Sequence, residues 1–226
     1  MPRRRVESVF EIIGPVMVGP SSSHTAGAVR IGRLARELLG DRPVYAKIVL
    51  HGSFAETYRG HGTDRAIVAG LLGFAPDDER IRDAFSHAKR EGLKFEIVTA
   101  DLGEEYHPNT AKITLRGEKG ETIEVVGSSI GGGHVEIVEI NGFLVSISGT
   151  YHTLVTIHRD VPGVAAKITS LLASRGINIA RMNITRKVRG EDACASIEVD
   201  QEIPEDVVRA LERYPEIRIV RHVRPI

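Results

Sequence analysis

Apolar residues in the first part of the chain recur at helical spacing in three stretches and gather in short runs elsewhere. The spacing predicts helices over about Thr25–Leu39, Thr63–Leu72 and Glu79–Glu91. The buried side of the first helix is predicted to consist of Ala28, Ile31, Leu34, Ala35, Leu38 and Leu39. The short runs predict five strands: Val44–Leu50, Phe95–Thr99, Ala111–Leu115, Thr122–Val126 and His134–Ile140. We therefore expect a mixed α+β domain.

The second part of the chain has a more regular pattern. The predicted elements are strand His152–His158, a helix opened by Asp160–Gly163 and ending near Arg175, strands Ile177–Ile184 and Ala193–Val199, helix Pro204–Arg213 and strand Ile217–Val223. This βαββαβ order is that of the ferredoxin-like fold. The sequence thus predicts an α+β protein with domains at residues 1–148 and 149–226, joined at Ser148-Gly149-Thr150.

Composition narrows the class of protein. The 226 residues carry 30 basic and 30 acidic side chains, a balance that argues against a general binder of nucleic acid or of membrane surfaces. No apolar stretch approaches the ~18 residues of a membrane span, and Pro2–Arg5 leads into no long apolar run, so we expect no secretion signal. The single cysteine, Cys194, cannot supply the thiolates of an iron–sulfur cluster. We expect a cytoplasmic protein without a cluster of its own, in which Cys194 is a small core residue.

The most unusual stretch of the sequence is Gly19–Gly27 (GPSSSHTAG). Small hydroxyl residues ahead of a predicted helix place hydroxyls and backbone amides at its positive end, which suits a carboxylate or phosphate. A serine-rich helix cap would give the same pattern and stays open as an alternative. The segment is not a Walker loop, because no Gly-Lys-Ser/Thr follows.

A second candidate is Arg59–Asp64, in which Gly60 and Gly62 flank His61. We interpret this segment as a glycine turn, after which a Thr63-Asp64 pair would cap the next helix. A histidine at such a turn can act as a general base near neutral pH. The alternative is a solvated turn residue, which is the commoner role for this pattern taken alone.

A third candidate is Tyr106–Thr110, where Pro108 favours an extended backbone at His107. The side chains of His107 and Asn109 could form a polar pocket wall, and a plain turn is an equal alternative. Five of the nine histidines lie in or beside these loops: His24, His51, His61, His107 and His134. No His-Glu-x-x-His pair or comparable spacing exists, so we expect no metal site.

In the second part, Asp160–Gly163 and Gly176–Ile179 place polar groups where a strand meets its helix and where the helix returns to the sheet. We interpret Asp160, Gly163 and Asn178 as effector-binding residues of a small-molecule pocket between two copies of the domain. Ordinary capping and turn chemistry is the alternative.

Three motifs together resemble those of a known family: Gly19–Gly27, Gly60–Asp64 and His107–Asn109 look like the signatures of iron–sulfur-dependent L-serine dehydratases, in the beta chain of the two-subunit form. The part from Tyr151 resembles an ACT domain, the amino-acid-binding βαββαβ module. The resemblance implies an L-serine ammonia-lyase that forms pyruvate and ammonia. It also implies a partner alpha chain whose cysteines hold a [4Fe-4S] cluster, and a dimer formed through the ACT domain.

The same resemblance implies roles for individual residues. His61 and His107 would be acid–base or charge-stabilising groups. The substrate carboxylate would be held by Ser21, Ser22, Ser23, His24, Thr25 and Asn109. The first domain also resembles the allosteric substrate-binding domain of some phosphoglycerate dehydrogenases, which allows an effector role for the same loops. A stand-alone amino-acid sensor is the alternative function.

Overall fold

The structure is a computed structural model that describes residues 14–226, so the expectation for Pro2–Arg5 lies outside the described residues. The first part contains a π-helix (Ser22–Gly27), α1 (Ala28–Leu39), β1 (Pro43–Leu50), α2 (Gly52–His61), α3 (Thr63–Leu71), a 3-10 helix (Glu79–Asp83), α4 (Ala84–Glu91), β2 (Lys94–Thr99), β3 (Thr110–Gly117), β4 (Thr122–Gly131), β5 (His134–Ile140) and β6 (Phe143–Ile147). The second part contains β7 (His152–Arg159), α5 (Val164–Ser174), β8 (Ile179–Arg186), β9 (Asp192–Val199), α6 (Glu205–Glu212) and β10 (Ile217–Val223).

Strands of the first part form one six-stranded sheet in the order β2-β1-β3-β4-β5-β6. The β1–β2 pair is parallel and the other pairs are antiparallel. Alternate residues of β3, such as Ile113 and Leu115, are buried beneath α1, which also packs against β4 and β5. All six positions predicted for the buried side of α1 are buried. Helices therefore cover one face of this sheet.

Strands of the second part form an antiparallel sheet in the order β10-β7-β9-β8, with α5 and α6 inserted as in the ferredoxin-like fold. Ile168 and Leu172 of α5 and Val207 and Leu211 of α6 pack on one face of the sheet. The predicted α+β fold class with a C-terminal βαββαβ unit is confirmed. No helix among residues 14–226 is long and apolar enough to cross a membrane.

The other face of the second sheet packs on the first part of the chain. Val155, Ile157, Cys194 and Val223 belong to the same buried cluster as α1 and β6. Cys194 is a core residue, as predicted, and burial raises the pKa of its thiol to about 12. The two parts thus share a core, and the division at residues 148–150 stays a prediction.

The link between the two sheets is fixed by a buried carboxylate. Glu198 on β9 is 2% exposed, and its Oε1 accepts hydrogen bonds of 2.8 Å from both the backbone amide and the hydroxyl of Ser148. Its Oε2 accepts two more from the guanidinium of Arg181, at 2.7 and 2.9 Å. The carboxylate is therefore satisfied on both sides, and the chain between β6 and β7 is held against the second sheet.

The structure corrects the interpretation of the segment around His61. Gly52–His61 forms α2, so His61 ends a helix and is not part of a glycine turn. Thr63 and Asp64 do not cap α3: its N-cap is Gly62 in the left-handed conformation, and the Thr63 hydroxyl is buried without a partner among residues 14–226. The helix was missed because Phe54 is its one buried residue and a helical apolar stripe is therefore absent.

Two further elements differ from the prediction. The expected helix Glu79–Glu91 is divided into a 3-10 turn and α4. Strand β6 was not predicted, although Asn141-Gly142 before it is a strong hairpin signal. Both residues have positive φ, 49° and 72°, so they form the tight turn that pairs β5 with β6.

Candidate functional site

Within the Gly19–Gly27 segment, Ser22–Gly27 forms a π-helix that leads directly into α1. Its N-cap is Ser21, whose hydroxyl accepts a 3.1 Å hydrogen bond from the backbone amide of His24. Tight packing holds the segment: a Cβ on Gly27 would lie 2.1 Å from Oγ of Ser129 on β4. Single π-helical turns are rare and frequently mark functional sites. Ser21 thus acts as a cap, Ser22 and Ser23 lie within the turn, and the turn is itself unusual.

His24 lies at the centre of a group of polar and aromatic side chains. Its Nε2 is 3.0 Å from Oγ of Ser53, and its ring centroid is 4.8 Å from that of His61 and 5.3 Å from that of Phe54. Burial, followed by the charge of His61, lowers the pKa of His24 below its usual value. The imidazole is therefore neutral at physiological pH and can both donate and accept a hydrogen bond.

His61 closes a small cavity of about 290 Å³ next to His24. Its carbonyl oxygen accepts a 3.2 Å hydrogen bond from the hydroxyl of Thr25, which joins α2 to the π-helix. Its buried Nδ1 has no hydrogen-bond partner among residues 14–226. Three cationic side chains also line the cavity: Arg59, Arg65 and Arg82. Their positive charge suits a carboxylate-bearing ligand.

The third motif forms the loop that precedes β3. Nδ1 of His107 accepts a 3.1 Å hydrogen bond from the backbone amide of Asn109, which assigns the ring hydrogen of the neutral imidazole to Nε2. Burial lowers the pKa of His107. Two hydrogen bonds anchor the loop. The hydroxyl of Thr110 donates to the His107 carbonyl at 2.6 Å, and the backbone amide of Ser129 donates to the Asn109 carbonyl at 2.9 Å.

Helix α2 brings the three motifs together. A Cβ on Gly52 would lie 2.7 Å from the carbonyl oxygen of Pro108, so only glycine lets the start of α2 approach the loop before β3 this closely. The next residue, Ser53, reaches His24, and the last residue of the helix is His61. The element that the sequence pattern failed to predict therefore positions the candidate site.

The two histidines predicted to be catalytic open into different cavities. His61 lines the arginine-rich cavity, whereas His107 lines a different one of about 450 Å³ together with Tyr106 and Ser128. His24 and His61 are brought into ring contact, while His107 is tied to them through Pro108 and α2. Each histidine thus faces a separate space in this structure.

Ser53 is a site residue that the sequence reasoning missed. It follows His51-Gly52 directly after strand β1 and stands in the first turn of α2. Small and polar residues at the start of a helix also mark the Gly19–Gly27 segment, so Ser53 has a comparable sequence setting. Because no helix was predicted over Gly52–His61, the sequence did not indicate that Ser53 stands at a helix start.

The predicted effector residues lie at two ends of the second sheet. Asp160 follows β7 and accepts hydrogen bonds from the Arg186 guanidinium at 2.7 Å and from the amide of Gly190 at 3.0 Å. Gly163, with a φ of 93°, caps α5 on the same side. Asn178 donates to Asp200 at 2.6 Å beyond the other end of the β7–β9 ladder. One copy of the chain therefore does not bring Asp160 and Asn178 together.

The residues of this chain do not fit an iron–sulfur cluster. Within residues 14–226, no group of three or more histidine, cysteine or acidic side chains is placed to hold a metal ion. The one cysteine of the whole sequence is buried between the two sheets. A cluster that needs three or four thiolates therefore has no ligand set here.

Comparison with known proteins matches both parts of the chain. Residues 8–100 match the family model described as serine dehydratase beta chain, and residues 152–216 match the ACT domain model. The chain is 49% identical over 213 residues to the probable L-serine dehydratase, beta chain, of Bacillus subtilis (strain 168), covering 94% of this chain and 96% of that protein. It is 43% identical over 204 residues to the L-serine dehydratase, beta chain, of Peptoniphilus asaccharolyticus, covering 90% and 92%. A D-3-phosphoglycerate dehydrogenase of Synechocystis sp. is 29% identical over 84% of this chain and 34% of that protein.

Proposed function

This chain belongs to the family of L-serine dehydratase beta chains, and from that membership we propose that it binds L-serine and supplies acid–base groups for its conversion to pyruvate and ammonia. The proposal includes an alpha chain that holds a [4Fe-4S] cluster. One observation carries the proposal: α2 joins His24, His61 and the loop of His107, and three arginines line the cavity beside His61.

The substrate carboxylate fits the N-terminal end of the π-helix. Ser21 caps this end, Ser22 and Ser23 stand in the first turn and Thr25 follows them, and the aligned peptide dipoles favour a negative charge. Neutral His24 adds a hydrogen-bonding ring that is oriented by Ser53. Asn109, in the loop held against α2 and β4, supplies a further amide group.

Elimination from serine requires a base for the proton on Cα and an acid for the departing β-hydroxyl. We assign these tasks to His61, the last residue of α2, and to His107, in the loop that α2 contacts. Burial keeps His107 uncharged at neutral pH, and His61 lines the arginine-rich cavity. This chain offers no thiolate set, so in this proposal the alpha chain holds the cluster.

Reconstitution with the alpha chain of the same organism tests the proposal. The two purified chains are combined without oxygen, and pyruvate formation from L-serine is measured for the wild type, His61→Ala and His107→Ala. We expect each substitution to lower kcat by about a hundredfold or more, the usual contribution of a general acid or base. His87→Ala on α4, outside the candidate site, is the matched control and should keep wild-type turnover.

Each alternative has its own outcome. Turnover by this chain alone would contradict the two-chain proposal. Unchanged turnover in both histidine variants would overturn the residue assignment but leave the complex intact. A homo-oligomer that binds serine and does not associate with the alpha chain would instead identify an amino-acid sensor.

We further propose that the ACT domain binds an effector, with L-serine as the ligand to test, at a site shared by two copies of the chain. Asp160 and Gly163 lie at one end of the second sheet and Asn178 at the other, so a site that uses all three needs two protomers. Sedimentation and calorimetric titration with L-serine test this arrangement. A monomer that binds serine through Asp160 and Asn178 would contradict it.

A further inference from the structure

The face of the six-stranded sheet opposite α1 is divided into two halves of unlike chemistry. Over β2, β1, β3 and the start of β4 it is polar, and it carries two ion pairs. Lys47 and Glu96 lie 3.6 Å apart, and Lys112 and Glu124 lie 2.9 Å apart. Tyr45 adds a 2.9 Å hydrogen bond to Glu96. This half has the composition of an ordinary solvated sheet surface.

The other half, here named the β5–β6 face, consists of Ile130 at the end of β4, Glu136, Val138 and Glu139 of β5, and Leu144 of β6. Ile130 is 38% exposed and Leu144 is 63% exposed. Both line the cavity of about 450 Å³ that also contains Val138. Large apolar side chains that cluster at a cavity mark interaction sites more often than scattered ones do.

Carboxylates surround this apolar cavity. Glu105, Glu136 and Glu139 line it, and none of the described lining residues is a lysine or arginine. Glu136 accepts a 2.5 Å hydrogen bond from Ser146, and Glu139 accepts one from the Tyr106 hydroxyl. Within residues 14–226 none of the three carboxylates forms an ion pair. Among the described residues, the carboxylates of the β5–β6 face therefore have no cationic partner, whereas Glu96 and Glu124 on the other half of the same sheet have one each.

The charge of this cluster also acts on Tyr106. The hydrogen bond to Glu139, burial, and the negative charges of Glu139 and Glu105 raise the pKa of the Tyr106 hydroxyl to about 12. The phenol thus remains a donor to Glu139 at physiological pH. This leaves the cavity with fixed apolar walls and an acidic rim.

The cavity lies beside the candidate site. His107 and Ser128 form part of its lining, and the loop of His107 is the one that α2 contacts. A protein segment seated in the cavity would therefore lie next to His107. In the proposed function, the chain that has to approach this histidine is the alpha chain.

We propose that the β5–β6 face is the docking surface for the alpha chain, which places an apolar side chain flanked by lysine or arginine residues in the cavity. The inference rests on the proposed function. The apolar walls match the side chain, and the three unpaired carboxylates match the flanking cations. Docking buries Leu144 and Ile130 and brings the alpha chain to His107.

The experiment compares substitutions of exposed apolar residues on the two halves of the sheet. Leu144→Arg and Ile130→Arg place a positive charge in the cavity. Val98→Arg is the matched control, because Val98 lies on the opposite edge strand of the same sheet and is 39% exposed. The dissociation constant of each variant for the purified alpha chain is measured by interferometry, together with the thermal midpoint of the isolated beta chain.

We expect Leu144→Arg and Ile130→Arg to weaken association at least tenfold, whereas Val98→Arg should bind the alpha chain as the wild type does. The thermal midpoints of all three variants should equal that of the wild type. The double variant Glu105→Gln, Glu136→Gln should weaken association and reduce its dependence on salt, whereas Glu96→Gln should change neither.

Wild-type affinity in both arginine variants would overturn the inference while the proposed function stands. Failure of the wild-type chain to bind the alpha chain would overturn both. Conversion of a homodimer to a monomer by Leu144→Arg would assign the face to self-association instead.

Discussion

His24 and Ser53 are joined by a hydrogen bond of 3.0 Å between Nε2 and Oγ, which ties the π-helix to the first turn of α2. The bond sets the orientation of an imidazole whose other nitrogen faces Ser21 at 3.4 Å. Two hydroxyls at two helix starts thus hold one ring between them.

Loss of the Ser53 hydroxyl should therefore weaken substrate binding. In Ser53→Ala the ring of His24 loses one of its two hydroxyl contacts, and we expect kcat/KM in the reconstituted enzyme to fall about fivefold, equivalent to about 1 kcal/mol for one hydrogen bond. Ser53→Thr keeps a hydroxyl and should restore most of the activity. Ser86→Ala, exposed on α4, is the control. Wild-type kinetics in Ser53→Ala would show that this contact has no role in the reaction.

Acid should destabilise the fold through its buried histidines. Burial lowers the pKa of four imidazoles below the usual 6.5: His24, His107, His158 and His222. Below pH 6.5 the unfolded chain binds more protons than the folded chain, so the free energy of unfolding should decrease as pH falls from 6.5 towards the folded-state pKa values. Urea unfolding at pH 7.5 and 5.5 measures the change. A His107→Gln variant should show a smaller decrease, and equal urea midpoints for the wild type at both pH values would refute the prediction.

The carboxylate of Glu198 should contribute to stability because it joins two parts of the chain. Glu198→Gln removes the charge that Arg181 and the Ser148 donors share, and we expect a loss of about 1–3 kcal/mol in the free energy of unfolding. Glu205→Gln breaks an exposed pair with Arg209 and should cost less than ~0.5 kcal/mol. Urea unfolding curves of the two variants provide the comparison. Similar losses would mean that burial gives Glu198 no special importance.

Two helical glycines should respond to alanine in opposite directions. A Cβ on Gly70 of α3 would lie 2.1 Å from the carbonyl oxygen of Val29 on α1, so Gly70→Ala has to separate the two helices and should cost about 1–3 kcal/mol. Gly60 in α2 has no atom within 4 Å of the new Cβ, so Gly60→Ala should stabilise the chain by up to ~1 kcal/mol. Thermal unfolding of both variants checks the signs. A stabilised Gly70→Ala would contradict the close α1–α3 packing.

Elements that bury a continuous apolar stripe were predictable from the sequence. The buried side of α1 follows from its spacing alone, and the order of elements after Tyr151 gives the ferredoxin-like topology. Helix α2 has no such stripe. Contacts with residues distant in the chain, such as Pro108, hold it in place instead. The approach of Gly52 to Pro108 joins positions far apart in sequence, and no local pattern encodes it.

The candidate site was predictable as a set of motifs but not as a geometry. Residue types and order identified Ser21–Thr25, His61 and His107. The contact between His24 and His61, and the opening of His107 into a separate cavity, depend on α2 and on the path of the loop before β3. Because the sequence did not predict α2, it could not give the spatial relationship between these residues.

The second sheet packs on α1 and β6, and this packing limits how far the two parts of the chain can be separated or exchanged. Val155, Ile157, Cys194 and Val223 face the first part of the chain, so the ACT domain supplies one wall of its neighbour's interior. A shortened gene ending before Tyr151 would encode a protein in which apolar residues of α1 are exposed to solvent. Transplanting this ACT domain onto another enzyme would expose the same four apolar side chains, so the domain is portable only together with the surface that receives it.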